Sequence, residues 1–205
     1  MRIGLHGKAG VGKDSIGQLL AKKLGLEIYA YADPLKELCK EFIPELPWWG
    51  TKTEKETEYL VRDLDFNFTV TFGSNIGLRW DVLHAINVYF LDILENKDTI
   101  TAREILQYVG TDIVRKMQGQ DFWVALGQSK DNVVITDVRF VNELVDYNIK
   151  VRGGISDSED YHTSEVEMPD EYFDLIIHNQ RTNNPEEQIK AIVSIVSNII
   201  EVLNG

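Results

Sequence analysis

The 205-residue sequence is poor in cysteine and proline and has no long apolar run, and each shortage excludes a class of protein. The single cysteine, Cys39, cannot form an intramolecular disulfide, and its helical apolar surroundings are typical of a buried thiol in a reducing compartment. No apolar run approaches the length of a membrane span, and the chain enters a predicted strand at its first residues. We therefore expect neither secretion nor membrane anchoring, but a soluble cytoplasmic protein.

Basic residues are also scarce. Lys and Arg number 21 against 33 Asp and Glu, which gives a formal net charge of −12 without a basic cluster. Since binding to a long nucleic acid needs clustered cations, we do not expect a large nucleic-acid footprint, and any polyanion that the protein binds should be small. With 43% apolar residues and five prolines, the length fits one large α/β core, and we expect a single domain over residues 1–205.

A glycine-rich loop follows the apolar run from Ile3 to Leu5. It fits the pattern GxxxxGK and comprises Gly7, Lys8, Ala9, Gly10, Val11, Gly12, Lys13, Asp14 and Ser15. Glycines let the backbone curl around an anion with its N–H groups inward, the lysine reaches the outer phosphates, and the following helix presents its positive end. The loop therefore predicts a nucleotide phosphate site. Most P-loops have Ser or Thr after the lysine to hold Mg²⁺, whereas this chain has Asp14 there and the hydroxyl of Ser15 one residue later.

Strand, loop and helix alternate along much of the chain, as a parallel sheet requires. Strands are predicted at about 3–6, 26–31, 133–137, 149–152 and 174–178, and helices at about 14–24, 33–42, 80–94, 101–117, 140–147 and from 184 onward. Asp33 and Pro34 form an N-cap with proline at the first helical position, and Thr101 and Glu104 form a capping box.

Two stretches interrupt this alternation. Residues 44–100 have the character of an insertion, in which we predict a charged helix over 53–62 and an edge hairpin over 66–72 beside the helix at 80–94. Residues 152–170 include an acidic, serine-containing stretch after Gly153 with little periodicity, which predicts a mobile lid or flap.

Three classes of protein use a P-loop: small-molecule kinases, GTPase switches, and motor or remodelling ATPases. A GTPase needs an NKxD tetrapeptide to read guanine, and the sequence has none. A kinase needs several cations to clamp two anionic substrates and a lid to exclude water. In this acidic chain, cations fall near the predicted sheet ends or the flap, namely Arg103, Arg115, Lys116, Arg139 and Arg152. That distribution favours a kinase.

Two further patterns bear on such a site. Along the predicted helix at 101–117, one arc consists of the hydrogen-bonding residues Arg103, Gln107, Thr111 and Arg115, opposite an apolar arc. Asp137 ends a buried apolar strand and precedes Arg139 and Glu143. A carboxylate in that position can hold a metal directly or through water, and it can equally cap the following helix.

Taken together, the motifs resemble the bacteriophage deoxynucleoside monophosphate kinases, whose relatives include adenylate-kinase-like enzymes and animal-type phosphomevalonate kinases. The resemblance rests on the GKDS of the loop and, in this order, on Ala32 to Lys36, Arg103 to Thr111, Trp123, Asp137 to Glu143, and His162, Ser164 and Glu165. It covers about residues 1–36 and 101–179. It implies a P-loop kinase fold, a three-layer α/β/α sandwich with a central parallel sheet, a helical acceptor-binding insertion within 33–117, and a lid.

The resemblance also implies the reaction, in which the γ-phosphoryl group of ATP moves to the 5′-phosphate of a deoxynucleoside monophosphate. For this family an Asp after the P-loop lysine is expected. The implied ATP site is residues 7–15 with Asn179 near adenine, the implied metal is Mg²⁺ on Asp14, Ser15 and Asp137, and the groups implied in transfer are Lys13, Asp14, Arg115, Lys116, Asp137 and Arg139. The implied acceptor site is Asp33, Lys36, Arg103, Gln107, Thr111, Trp123, Glu143 and Arg152.

Several alternatives stay open at this point. Asp14 could instead orient the acceptor phosphate, Trp123 could fill the core, and Arg115 and Lys116 could simply favour the end of a helix. The protein could phosphorylate another small phosphorylated acceptor, or it could bind ATP without turnover as a regulatory module. The apolar surfaces of the helix at 80–94 and of the last helix would suit an interface, so a homodimer stays open as well.

Overall fold

The computed structural model describes residues 1–8, 10–69, 71–153, 168–179 and 185–204. Ala9 and most of the predicted lid, including His162, Ser164 and Glu165, lie outside the described residues. Within them the strands are β1 (Arg2–His6), β2 (Glu27–Tyr29), β3 (Tyr59–Leu60), β4 (Thr99–Ile100), β5 (Val133–Val138), β6 (Tyr147–Gly153) and β7 (Leu175–Asn179). The α-helices are α1 (Lys13–Leu24), α2 (Asp33–Phe42), α3 (Lys52–Glu56), α4 (Phe72–Asn75), α5 (Trp80–Asn96), α6 (Ala102–Gln107), α7 (Lys116–Gln118), α8 (Phe122–Gln128) and α9 (Pro185–Asn204).

The chain divides into two compact units. One consists of Met1–Tyr31 with Gly127–Gly205, and the other consists of Ala32–Leu126. We refer to them as the sheet unit and the helical unit, after the elements that form their cores. No helix in the described ranges combines the length and apolar character needed to cross a membrane.

The sheet unit is built on five parallel strands in the order β2-β5-β1-β6-β7. The central strands are almost continuously apolar and buried, as expected for a parallel sheet covered by other elements. Because all five strands run the same way, their carboxyl ends meet at one edge, and the glycine-rich loop leaves β1 at that edge. The predicted α/β fold with a central parallel sheet is confirmed.

One face of this sheet is covered by α1 and α9. The side chains that form this core include Ile3, Leu5, Ile16, Leu20, Val134, Ile149, Val151, Val193, Val196 and Ile200. Helix α1 begins after Gly12, whose φ of 88° is a conformation that glycine adopts easily, and it ends before the C-cap Gly25, whose φ is 67°. The first turn of α1 thus follows the glycine-rich loop with no residue between them.

The helical unit has its own apolar core. Phe42 stacks on Phe90 with 4.1 Å between ring centroids, and the buried thiol of Cys39 lies in the same cluster, as predicted. Trp48 is 1% exposed and its indole N–H donates to the Ile43 carbonyl at 2.9 Å, so this ring has a packing role. Strands β3 and β4 form an antiparallel pair within this unit.

Helices α2, α5 and α9 begin within one residue of their predicted positions, but three other predictions are wrong. Instead of a helix over 53–62, the short helix α3 ends at Glu56 and the chain pairs with β4 through β3. Instead of a hairpin over 66–72, residues 66–69 are irregular and α4 begins at Phe72, while the Asn67 N–H donates to the Phe42 carbonyl. Instead of a helix over 140–147, a single 3-10 turn at Val141–Glu143 precedes β6. In each case a tertiary partner replaces the local helical or hairpin pattern.

The predicted N-cap at Asp33 is also displaced by one residue. Ala32 is the N-cap of α2, and Asp33 is the first helical residue. The capping box at Thr101 and Glu104 is confirmed, since the Glu104 N–H donates to the Thr101 hydroxyl and the Glu104 carboxylate accepts from the Thr101 N–H. After α6 the helix continues as a π-helix over Tyr108–Arg115 and ends in α7.

Candidate active site

The loop between β1 and α1 has the form of a phosphate-binding loop. The Lys13 ammonium donates to the Lys8 carbonyl at 2.7 Å, which closes the loop on itself. The Ile16 N–H donates to the Gly12 carbonyl at 3.0 Å and starts the helix. Asp14 and Ser15 lie in the first turn of α1 with exposed side chains. A helix amino terminus with free N–H groups and a lysine over the loop can hold an anion.

Asp137 lies near the end of β5, at the same edge of the sheet. Its Oδ1 accepts a hydrogen bond from the Tyr31 backbone N–H at 2.7 Å. The short 3-10 helix that follows has Phe140 as its N-cap, so Asp137 does not cap it. Asp137 is half-buried, which leaves its carboxylate able to meet a ligand at the carboxyl edge of the sheet.

Glu143 fixes the turn that carries Arg139. Its carboxylate accepts from the Arg139 N–H at 2.6 Å and from the Phe140 N–H at 3.2 Å, and the residue is 4% exposed. Burial raises the pKa of Glu143, and the nearby charge of Asp137 raises it further. The Arg139 side chain is exposed. The carboxylate of Glu143 is thus occupied by backbone groups, while the guanidinium beside it faces solvent.

Tyr31 joins these two acidic residues and was not identified from the sequence. Its hydroxyl donates to the Glu143 backbone carbonyl at 2.7 Å, in addition to the bond between its N–H and Asp137. Burial is the main cause that raises the pKa of Tyr31, so the hydroxyl keeps its proton and remains a donor. Its place at the end of a predicted strand, just before Asp33, was the only available signal.

Arg152 ends the buried part of β6 and is held by an aspartate. Its guanidinium donates to Asp170, and the ammonium of the neighbouring Lys150 donates to the same oxygen at 2.8 Å. Lys150 is 2% exposed and also donates to the Met168 carbonyl at 2.6 Å. The hydrogen bond from Lys150 lowers the pKa of Asp170. The segment that leads into β7 is therefore tied to β6 at the position of Arg152.

Asn179 is the last residue of β7. Its side-chain amide donates to the Val11 carbonyl in the phosphate-binding loop at 2.9 Å. The structure thus places this side chain against the loop backbone.

In the helical unit, the predicted ladder lies on the helix formed by α6, the π-helix and α7, with two residues exposed and two, Arg103 and Arg115, half-buried. Gln107 and Thr111 are exposed, and Arg103 forms an ion pair with Glu56 at 2.9 Å. Arg115 is half-buried, and its Nε has no hydrogen-bond partner among the described residues. A π-helical segment is frequent at functional sites, and this one carries two members of the ladder.

The remaining candidates of this unit have partners close by. Lys36 donates to Asp33 at 2.9 Å, and Lys116 pairs with Asp112 one turn earlier. Trp123 is 3% exposed, and its indole N–H donates to the Gly110 carbonyl at 3.2 Å within the apolar core. Of the two alternatives for Trp123, the structure supports packing.

Trp49 lies beside the predicted acceptor residues, although no sequence pattern assigned it to the site. It is 47% exposed, and its indole N–H donates to Asp33 Oδ1 at 3.2 Å. The ammonium groups of Lys36 and Lys40 lie 5.9 and 5.3 Å from its ring centroid. The exposed ring of Trp49 thus lies beside Asp33 and Lys36, the two residues among these that the resemblance assigned to the acceptor site.

Comparison with known proteins decides the family. The chain is 32% identical to a protein of Acanthamoeba polyphaga mimivirus named "Putative deoxynucleotide monophosphate kinase", and the match covers 96% of both chains. The chain belongs to the deoxynucleotide monophosphate kinase family. The deoxynucleoside-5′-monophosphate kinase of Escherichia phage T5 is 31% identical over 69% of each chain, and the deoxynucleotide monophosphate kinase of Escherichia phage RB69 is 33% identical over 40% of each. The resemblance inferred from the motifs is confirmed.

Two other comparisons add little to this assignment. No protein-family model matches the chain. The solved structure of the shikimate kinase from Aquifex aeolicus is similar over the whole of both chains at 14% identity, with a TM-score of 0.39, which is too low to support an argument. Membership of the deoxynucleotide monophosphate kinase family therefore rests on the sequence relatives.

Proposed function

We propose that this protein is an ATP-dependent deoxynucleoside monophosphate kinase that works in the cytoplasm. It would transfer the γ-phosphoryl group of ATP to the 5′-phosphate of a deoxynucleoside monophosphate and release ADP and a deoxynucleoside diphosphate. The observation that supports this most is the match to a relative of that name over 96% of the chain. The phosphate-binding loop at the carboxyl edge of a parallel sheet agrees with it.

The chemistry asks for alignment and charge more than for a base. An oxygen of the acceptor phosphate forms a bond to the γ-phosphorus while the bond from that phosphorus to the β–γ bridging oxygen breaks, and ADP keeps the electron pair. The acceptor oxygen is already anionic, so no strong general base is needed. Fixed cations that stabilise the charge of the transferring group would provide most of the rate enhancement.

On the donor side, the backbone N–H groups of the loop would hold the phosphates. Lys13 now donates to the Lys8 carbonyl, and the same ammonium would turn to the outer phosphates when ATP binds. Arg139 would stabilise the transferring group, held in place by the turn that Glu143 fixes. We assign Glu143 a supporting role, because its carboxylate is buried and bound to backbone N–H groups.

On the acceptor side, we assign binding to the helical unit within 33–117, through Asp33, Lys36, Arg103, Gln107 and Thr111. Arg103 would bind the acceptor phosphate in exchange for its surface partner Glu56. Arg115, with an Nε that lacks a partner among the described residues, and Lys116 would complete the cationic clamp. We assign Trp123 to the core, and we assign Arg152 and residues 152–170 to the lid.

Mg²⁺ is the cofactor that this donor set would suit. It prefers oxygen ligands and is usually bound by one or two carboxylates together with substrate phosphates. Asp137, half-buried at the edge of the sheet, and the exposed Asp14 and Ser15 offer such oxygens. When bound, the ion would neutralise charge on the phosphates. The residues of the chain would still have to align both substrates.

An acceptor panel tests the proposal. ADP release from ATP and Mg²⁺ would be coupled to an optical assay with the four deoxynucleoside monophosphates, the matching ribonucleotides and phosphomevalonate. We expect turnover that depends on deoxynucleoside monophosphates. Appreciable rates only with a non-nucleotide acceptor would overturn the assignment in favour of another small-molecule kinase. ATP binding that is unaffected by Asp137→Asn, with no acceptor-dependent ADP release at all, would instead show a regulatory module.

A further inference from the structure

The side chain of Asn179 contacts the phosphate-binding loop at two consecutive residues. Its amide nitrogen donates to the Val11 carbonyl at 2.9 Å. The same nitrogen lies so close to Gly12 that a Cβ added there would be 2.6 Å from it, a separation that real Cβ atoms essentially never show. The absence of a side chain at Gly12 is therefore what admits the amide to the loop.

The backbone of Asn179 is itself held firmly. Asn179 is paired with Gly153 at the ends of β7 and β6. Gly153 has a φ of 92°, and a Cβ at this position would collide with the Asn179 carbonyl. The close approach of the two strand ends fixes the point from which the Asn179 side chain reaches the loop.

The geometry points to Asn179 as a positioning residue of the phosphate-binding loop. The peptide between Val11 and Gly12 is trans. In a trans peptide, which is close to planar, the C=O and the N–H point in opposite directions. By holding the Val11 carbonyl, Asn179 turns the Gly12 N–H away from itself. That N–H belongs to the set that a phosphate-binding loop directs at its anion.

This role differs from the adenine contact that the sequence suggested for Asn179. A residue that orients the loop acts on the phosphates and is indifferent to the base, whereas an adenine ligand acts only on adenine nucleotides. The inference rests on the proposed function in one respect, since it takes a nucleoside triphosphate as the ligand of the loop.

Binding measured without an acceptor tests this inference. Isothermal titration would give the dissociation constants of ATP, GTP and inorganic tripolyphosphate for the wild type, Asn179→Ala and Asn179→Asp, with His178→Ala as an exposed neighbour in the same strand. We expect Asn179→Ala to weaken all three ligands by one common factor of about fivefold, as for the loss of one hydrogen bond. Asn179→Asp should weaken them more, because a carboxylate cannot donate and repels phosphate. His178→Ala should change none of them.

Two results would overturn the inference. A loss confined to ATP would show a base contact, and unchanged binding of all three ligands by Asn179→Ala would show that the loop does not depend on this side chain. The acceptor panel decides the proposed function separately, because these titrations contain no acceptor.

A double-mutant cycle in unfolding free energy covers the case in which binding becomes too weak to measure. The strain of alanine at the φ of Gly12 is common to both backgrounds and cancels in the cycle. Gly12→Ala should therefore cost less in the Asn179→Ala background than in the wild type, because the collision with the amide is gone. An equal cost in both backgrounds would contradict the contact on which the inference depends.

Discussion

The sheet unit and the helical unit hold several of their candidate residues in different ways. In the sheet unit, the side chains of Asp137, Glu143 and Asn179 are hydrogen-bonded to backbone groups. In the helical unit, Arg103 and Lys116 are paired with partly exposed carboxylates. Backbone partners are fixed by the fold, whereas exposed ion pairs are weak and exchange readily. If the proposed roles hold, the phosphate-binding side is built in advance, and the proposed acceptor side can exchange a carboxylate for a phosphate.

The largest expected effect tests whether Trp123, the aromatic candidate of the helical unit, packs in the core or meets a ligand. Trp123→Ala should lower the free energy of unfolding by about 3–5 kcal/mol, because it empties a large buried site. Trp80→Ala removes a ring that is 78% exposed and should change stability by less than about 0.5 kcal/mol. Denaturant unfolding measures both. If Trp123→Phe kept wild-type stability and raised the acceptor KM more than about tenfold, base stacking would explain Trp123 better than packing.

The next largest effect tests the proposed phosphate-binding residues of the sheet unit. Lys13→Ala and Arg139→Ala should each lower kcat by a hundredfold or more, corresponding to about 2.7–4 kcal/mol in the barrier, because each removes a cation that we propose stabilises the transferring group. The coupled ADP assay measures the rate, and circular dichroism checks the fold. Lys22→Ala, in the last turn of α1, is the matched control and should retain activity. Unaltered turnover in Lys13→Ala or Arg139→Ala would remove that residue from the site.

A smaller effect tests whether Arg103 of the helical unit exchanges its partner Glu56 for the acceptor phosphate. Arg103→Ala should raise the acceptor KM by about tenfold or more, the range for a lost hydrogen bond to a charged group. Glu56→Gln should act in the opposite direction and lower that KM by up to about fivefold, because an exposed ion pair contributes at most about 1 kcal/mol. The KM for ATP should stay constant in both variants. A Glu56→Gln enzyme with a raised acceptor KM would show that the pair supports binding instead of competing with it.

The smallest effect concerns the buried carboxylate of the sheet unit. The folded pKa of Glu143 is raised above its ordinary value of 4.5, so between the two values the folded state binds the proton more tightly than the unfolded state. The wild type therefore loses stability as the pH rises through this window. Glu143→Gln keeps an acceptor for both N–H groups but does not titrate, so its unfolding free energy relative to the wild type should increase from about pH 4 to about pH 7.

Urea unfolding at the two pH values measures this difference. Glu45→Gln, at an exposed position, is the control and should show no comparable gain. The opposite result would be a Glu143→Gln protein whose stability relative to the wild type falls as the pH rises. It would contradict the conclusion that burying the charged carboxylate destabilises the fold.

Much of the architecture was predictable from local patterns. The glycine-rich loop and the capping box at Thr101 depend on spacing within a few turns, and the structure shows both of them. The predicted helix over 53–62 failed because Tyr59 and Leu60 pair with a strand about 40 residues further along, and local periodicity does not report such a partner. The same reason explains the helix expected over 140–147, because Tyr147 begins β6 and pairs with Ile3 of β1, a residue far away in the sequence.

By itself the sequence determined the class of fold, the glycine-rich loop between β1 and α1, and the family, because spacing and residue type carry them. Only the tertiary structure decided which partner each polar side chain takes. Tyr31 and Asp137 are 106 positions apart, and Val11 and Asn179 are 168 apart, yet both pairs share hydrogen bonds. The strand order brings those residues to one edge of the sheet, and no periodicity within a single element contains that order.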